Sequence, residues 1–285
     1  MRFYSDRYIR KAEIAQLVLL YHLYFQPASK DLIFQGGTAL RWCYGGSRFS
    51  EDLDFVTQLS AQVLRRLISK AIRGAEREMV PHFGPGRLEF SEKSSRVDTL
   101  KLFVTYRPAG LRQNVSVKLE FEGLAKNFSP GTANFVLSAL PSVAYLIGTG
   151  DFRIPRPSAV LVAETKEEIL SDKVRALLER RYLKGRDIFD VWFLRTVLKA
   201  GAEPGLIERK LRMYAAPFQA ARGLEFFIAP SAEARTVLIA AIENDLSRFL
   251  PPEVLEVHRQ DGYHEFLAAV RHLAEEVRSK GVTLP

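Results

Sequence analysis

The stretch FQGGTALRWCYGGSRFSEDLDF, residues 34–55, holds the densest information in the chain. Leu32-Ile33-Phe34 predicts a short strand, Gly36-Gly37-Thr38 a turn into a short helix, and Gly45-Gly46 the end of that helix. An acidic strand follows. Alternate residues of a strand share a face, so Asp52 and Asp54 are expected side by side, with Leu53 and Phe55 in the core. Two neighbouring carboxylates repel unless a cation lies between them, and a hard divalent ion shared with phosphate oxygens suits such a pair. Gly36 and Gly37 let backbone N–H groups approach an anion at the mouth of the helix, as a triphosphate requires. Solvated strand acids and an ordinary glycine turn would each look the same singly; their order and spacing favour the joint reading.

A second block lies at residues 173–194, KVRALLERRYLKGRDIFDVWFL. Lys173, Leu177 and Arg180 occupy related helical positions. Lys184-Gly185-Arg186 breaks the helix, Asp187 is expected to cap the next one, and Asp190 lies one turn further. Two helices joined by an Arg/Asp ion-pair network would also give this pattern, and Arg180, Arg186 and Asp190 fit that reading equally well. Upstream, Thr165-Lys166-Glu167-Glu168 is a capping box.

A hydrophobic residue, Gly-Gly-Thr, about a dozen residues and Asp-x-Asp resemble the head motif of the DNA polymerase β-like nucleotidyltransferases. The wording GGTALRWCYGGSRFSEDLDF is most similar to the AbiEii toxin nucleotidyltransferases, which include the mycobacterial MenT toxins. The second block resembles that family's downstream signature, with Phe189 where tyrosine is common. The resemblance implies an α+β protein: a polymerase β-like nucleotidyltransferase domain of mixed sheet and helices over 1–163, and a C-terminal helical bundle over 164–285. It further implies Mg²⁺, or Mn²⁺, on Asp52, Asp54 and a third carboxylate from a neighbouring strand, which would deprotonate or position the acceptor hydroxyl near a second ion. Glu120 is the first choice and Glu122, on the same face, the alternative. The triphosphate would lie on Gly36, Gly37 and Thr38, with lesser contacts from Ser47, Arg48, Ser50 and Asp190. Lys173 would face it across a cleft as a phosphate clamp, oriented by Asp187. Implied partners are a nucleoside triphosphate, tRNA or another RNA, and a cognate antitoxin; in characterised relatives nucleotides are added to the tRNA acceptor end, which halts translation. Gln35 stands where many relatives carry lysine, a departure that bears on base or phosphate contacts there.

The bulk properties agree. The chain of 285 residues is long enough for two packed domains. A formal charge of +8, much of it arginine, suits a polyanionic partner. The single cysteine, Cys43, excludes an intrachain disulfide and a cysteine-rich zinc site. His22, His82, His258, His264 and His272 show no ligand spacing. No apolar run reaches a membrane span, and the N-terminus lacks the apolar core of a signal peptide. A cytoplasmic monomer without membrane contact is expected.

Elsewhere, apolar periodicity predicts a helix over 6–26 ended by Pro27, and a second from the Ser60 N-cap to Met79 with Val63, Leu64, Leu67, Ile68, Ala71 and Ile72 inward and Pro81 beyond its end. Strands are expected over Arg87–Ser91, Thr99–Tyr106 and Asn114–Glu122, the last two joined through Arg107-Pro108-Ala109-Gly110. In the third, Ser116, Lys118, Glu120 and Glu122 form the charged face. Residues 123–157 read as loops with a short helix near Val143–Ile147, and 159–162 as a strand. Helices are expected over 191–200, 203–214, 231–250 and 261–280, as a packed bundle or with Arg209, Lys210, Arg212 and Arg222 along an RNA backbone. Three other functions stay open: a non-catalytic nucleotide- or RNA-binding module, a nucleotidyltransferase acting on a small molecule, and one acting on protein.

Overall fold

The computed structural model describes residues 4–96, 99–110, 113–153 and 157–282. It divides into two units, one formed by Ser5–Gly45 and Ser50–Glu164, the other by Gly46–Phe49 and the chain from Thr165 onward together with the N-terminal residues up to Tyr4.

The first unit is built on a mixed seven-stranded sheet. Its strands are β1 (Leu32–Gln35), β2 (Asp52–Thr57), β3 (Gly86–Arg96), β4 (Thr99–Pro108), β5 (Val115–Gly123), β6 (Thr132–Val136) and β7 (Val160–Glu164), in the order β3-β4-β5-β2-β1-β7-β6. The β2–β5 and β1–β7 pairs are parallel and the others antiparallel. Among the described residues the α-helices α1 (Asp6–Tyr24), α2 (Gly36–Cys43), α3 (Ala61–Phe83) and α4 (Pro141–Gly148) accompany it. The period of 2 in the central strands sends Leu53, Phe55, Leu119 and Phe121 into the core, where Phe55 stacks on Phe121 at 5.1 Å and meets Phe34 at 5.4 Å and Tyr24 of α1 at 6.3 Å. Asp52, Asp54, Lys118 and Glu120 alternate with these and take the opposite face.

Three expectations need correction here. The helix from Ser60, whose hydroxyl does cap it at Val63 N, continues through Pro81 to Phe83. Proline removes one backbone hydrogen bond and crowds the carbonyl four residues earlier, but Gly84 N still bonds Val80 O and the extra turn buries Phe83 against Tyr106 at 5.8 Å. Val63 faces outward, 37% exposed. Within 123–157, β6 was hidden because it is a five-residue edge strand whose single ladder partner is β7 and whose inward side carries only the half-buried Ala133 and Phe135, the latter against Tyr44 at 5.2 Å. The connection between β4 and β5 passes through 111–112, which lie outside the described residues.

The second unit is helical: α5 (Lys166–Glu179), α6 (Gly185–Trp192) with a π-turn over Phe193–Val197, α7 (Pro204–Met213), α8 (Glu225–Ile228), α9 (Ala232–Leu246), α10 (Pro252–Gln260) and α11 (His264–Ser279). Thr165 caps α5 through Glu168 N. Phe189, Trp192, His258 and Phe266 form its aromatic core, with Phe189–Phe266 centroids 5.4 Å apart. Gly185 lies so close to α9 that a Cβ there would stand 2.5 Å from Ala241 O. Pro251-Pro252 begins α10 rather than merely separating helices, since proline is favoured in a first turn. Lys210, expected along an RNA-facing side, is wholly buried with its ammonium 2.8 Å from Asp172, while Arg209 pairs with Glu168. Among the described residues no helix is long and apolar enough to cross a membrane.

Candidate functional site

In the sheet unit, β1 pairs with β2 so that Gln35 lies opposite Asp54, and the chain turns into α2 at the next residue. Gly36 makes that turn with φ +74°, and a Cβ on it would lie 3.0 Å from Asp54 Oδ2. Glycine is therefore needed twice, for a left-handed backbone and for close approach to a carboxylate. Gln35 places no side-chain bond on the start of α2, whose first-turn N–H groups have no acceptor within the helix and carry the positive end of its dipole. Thr38 is fully buried and its hydroxyl donates to Asp52 O, tying α2 to β2. Gln16 of α1, unmarked in the sequence because it lies among apolar neighbours, donates to Ser50 O at 2.7 Å and Glu51 O at 3.2 Å and accepts from Trp42 Nε1 at 3.3 Å. It fixes the approach to β2.

The parallel β2–β5 register sets Asp52 opposite Lys118 and Asp54 opposite Glu120. On the other side of β5, Lys101 of β4 lies opposite Glu120. Lys118 Nζ is 2.9 Å from Asp52 Oδ2 and also contacts Glu120 Oε1, while Lys101 Nζ is 2.6 Å from Glu120 Oε2. The face thus holds Asp52, Asp54 and Glu120 against two ammonium groups. Glu122 is on the same side, one pair along, opposite Val56. Burial alone would raise the Glu120 carboxyl, but hydrogen bonds from Lys101 and Lys118 hold it below its usual range. Burial would lower Lys118, and its bonds to Glu120 and Asp52 raise it instead. Lys118 was visible in the sequence as part of the charged face of β5; its place between two carboxylates depended on strand order.

Among the described residues no group of three or more His, Cys, Asp or Glu side chains is set to hold a metal ion. Asp52 and Asp54 nevertheless offer hard oxygen donors on one face. That donor set fits an ion bound by one or two carboxylates and completed by substrate oxygens and water, as Mg²⁺ is, rather than an all-protein cage.

The helical unit holds a second charged cluster. Arg48, expected at phosphate, is 3% exposed; its Nε and Nη2 donate to Asp190 Oδ1 and Oδ2, both at 2.6 Å, and Nη1 to Phe49 O at 2.9 Å. Lys173, 7% exposed, donates to Asp187 Oδ1 at 2.8 Å and pairs with Asp190 Oδ2 at 2.7 Å. Arg180 pairs with Asp187 Oδ2 at 3.4 Å. Asp187 does not cap α6: the N-cap is Lys184, and the Asp187 side chain instead turns to the buried ammonium. Burial would raise both aspartates, yet Lys173 and Arg180 hold Asp187 well below the ordinary carboxyl range, and Arg48 and Lys173 do the same for Asp190. Lys173 is raised, its burial outweighed by the two aspartates. Arg186 donates its backbone N–H to Asp245 at 3.1 Å. Ser47 is exposed and Ser50 buried.

The family model for the nucleotidyl transferase AbiEii toxin of type IV toxin–antitoxin systems matches residues 18–276. The fold is similar to the crystal structure of a candidate nucleotidyltransferase from H. pylori, with TM-score 0.54, 19% identity, and coverage of 97% of this chain and 96% of that one. It is similar also to JHP933 from Helicobacter pylori, with TM-score 0.56, 18% identity, and the same 97% and 96% coverage. No curated protein matches the chain.

Proposed function

Because the chain belongs to the AbiEii family of nucleotidyltransferase toxins of type IV toxin–antitoxin systems, we propose that it transfers a nucleotidyl group from a nucleoside triphosphate to the 3′ end of tRNA, blocking translation unless a cognate antitoxin restrains it. The observation that carries this reading is the face that Asp52 and Asp54 share, on which Asp54 meets the Gly36 turn, with Glu120 in register beside Asp54.

Asp52 and Asp54 are the residues that would hold Mg²⁺, or Mn²⁺ in its place, which when bound neutralises phosphate oxygens and favours in-line displacement. The start of α2 receives the triphosphate through its backbone N–H groups at Gly36, Gly37 and Thr38. Within the helical unit Lys173 is the candidate phosphate-binding cation, its ammonium held by Asp187 and Asp190, with Arg48 in turn on Asp190. Glu120 accepts a hydrogen bond from the acceptor hydroxyl; because its carboxyl is held low, it orients that group rather than keeping its proton. The hydroxyl oxygen forms a bond to the α-phosphorus, the bond from that phosphorus to the α–β bridging oxygen breaks, pyrophosphate leaves, and the hydroxyl proton passes to solvent.

Incubating the protein with total tRNA, Mg²⁺ and each nucleoside triphosphate in turn, then sequencing the tRNA 3′ ends, tests this directly. Extended 3′ ends with at least one triphosphate are expected. Nucleotide found on protein, or on a small molecule, with every tRNA end unchanged would overturn the RNA assignment.

A further inference from the structure

Among the described residues, the Lys118 ammonium touches two of the three carboxylates described above, Asp52 and Glu120. Both oxygens of Glu120 have a lysine partner, Oε1 with Lys118 and Oε2 with Lys101, and Lys118 also takes Oδ2 of Asp52. The parallel register brings these groups together: Lys118 lies opposite Asp52, and Glu120, two residues on, lies opposite Asp54. Lys118, Asp52 and Glu120 are all half-buried, so their charges are poorly compensated by water. An ammonium group donates and cannot coordinate a cation. An ion bridging Asp52 and Glu120 would therefore have to expel Lys118, whereas an ion shared by Asp52 and Asp54 need not.

We propose that Lys118 is a built-in cation of this face, standing in the gap between Asp52 and Glu120, so that the protein takes up a single divalent ion, at Asp52 and Asp54. Lys118 is then a positioning residue: it holds Glu120 beside Asp54 and keeps a second ion out. The proposal takes its meaning from the nucleotidyltransferase reading, but its test does not depend on transfer. A cross-strand ion pair of purely structural value would behave differently, since its removal would weaken the fold without changing how the face treats divalent ions.

The test is Mn²⁺ binding to the full-length chain without nucleotide, followed by the spin resonance of free Mn²⁺, for wild type, Lys118→Met and Lys118→Arg, with Asp52→Asn marking the ions that belong to this face. Wild type and Lys118→Arg should bind one Mn²⁺ that Asp52→Asn abolishes. Lys118→Met should bind two, the tighter by about tenfold over wild type as the competing charge is lost. Its melting temperature should be lowered without Mn²⁺ and recover when Mn²⁺ is added. Two such ions on wild type overturn the proposal, a result that does not require any variant to fold. Unchanged affinity in a folded Lys118→Met, or a lowered melting temperature that Mn²⁺ does not restore, overturns it as well. One ion on a wild-type chain that labels no RNA leaves Lys118 as assigned and removes the RNA reading alone.

Discussion

Two residues set how the charged side chains are held. Gly36 combines φ +74° with a Cβ position 3.0 Å from Asp54 Oδ2, so Gly36→Ala should add about 1–2 kcal/mol of backbone strain and push the carboxylate out of place. The expected outcome is a transfer rate at least about tenfold lower with a retained cooperative melt; a wild-type rate would mean that Asp54 need not stand where it does. Arg48 is the second. Its guanidinium is committed to Asp190 from two of its three nitrogens, in a buried network with Lys173 and Asp187. Arg48→Met leaves a buried carboxylate with half its compensation, and should cost roughly 3–5 kcal/mol of stability. Denaturant unfolding measures this, and a loss below about 1 kcal/mol, the scale of a surface pair, would show the network to be dispensable to the fold.

Among the elements, α1 and α3 meet where His22 packs onto Gly74, a Cβ there lying 2.5 Å from His22 Nδ1. Burial lowers the His22 pKa to about 4 from 6.5. The unfolded chain therefore binds the proton that the folded one refuses between those values. Stability is complete above pH 6.5 and falls as the pH drops toward 4. Partial exposure of the ring screens the effect, leaving on the order of 1–2 kcal/mol. His82, lowered by burial and by Arg153, acts in the same direction. Thermal melts at pH 7.5 and pH 4.5 should show a smaller loss for His22→Leu than for wild type; equal losses would place the acid sensitivity elsewhere. Elements with their own periodicity or caps were legible in the sequence: α1, the Ser60 and Thr165 caps, and the alternation of β2 and β5. Those that depend on neighbours were not. β6 bonds one neighbour and turns only Ala133 and Phe135 inward, α3 runs past Pro81 because Phe83 finds Tyr106, and Asp187 leaves the cap position for Lys173. The candidate site divides the same way. Asp52, Asp54 and Gly36 lie close in sequence and could be read together, whereas Lys118, Lys101 and Gln16 join them only through strand order and packing.

For the whole molecule, a mixed-sheet unit carries the acidic face and a helical unit carries the buried Lys173 network. The formal charge of +8 gives the chain long-range attraction for a polyanion such as tRNA without specifying where it docks. Nucleotidyl transfer to RNA is the reaction proposed for Asp52 and Asp54. Its most direct measurement is the initial rate of transfer from α-labelled nucleoside triphosphate to tRNA by wild type, Asp52→Asn and Asp54→Asn, with melting curves taken on the same samples. Label on tRNA is expected with wild type, and a loss of about 100-fold or more in both variants, whose melts remain cooperative. Transfer at the wild-type rate by either folded variant would contradict that assignment.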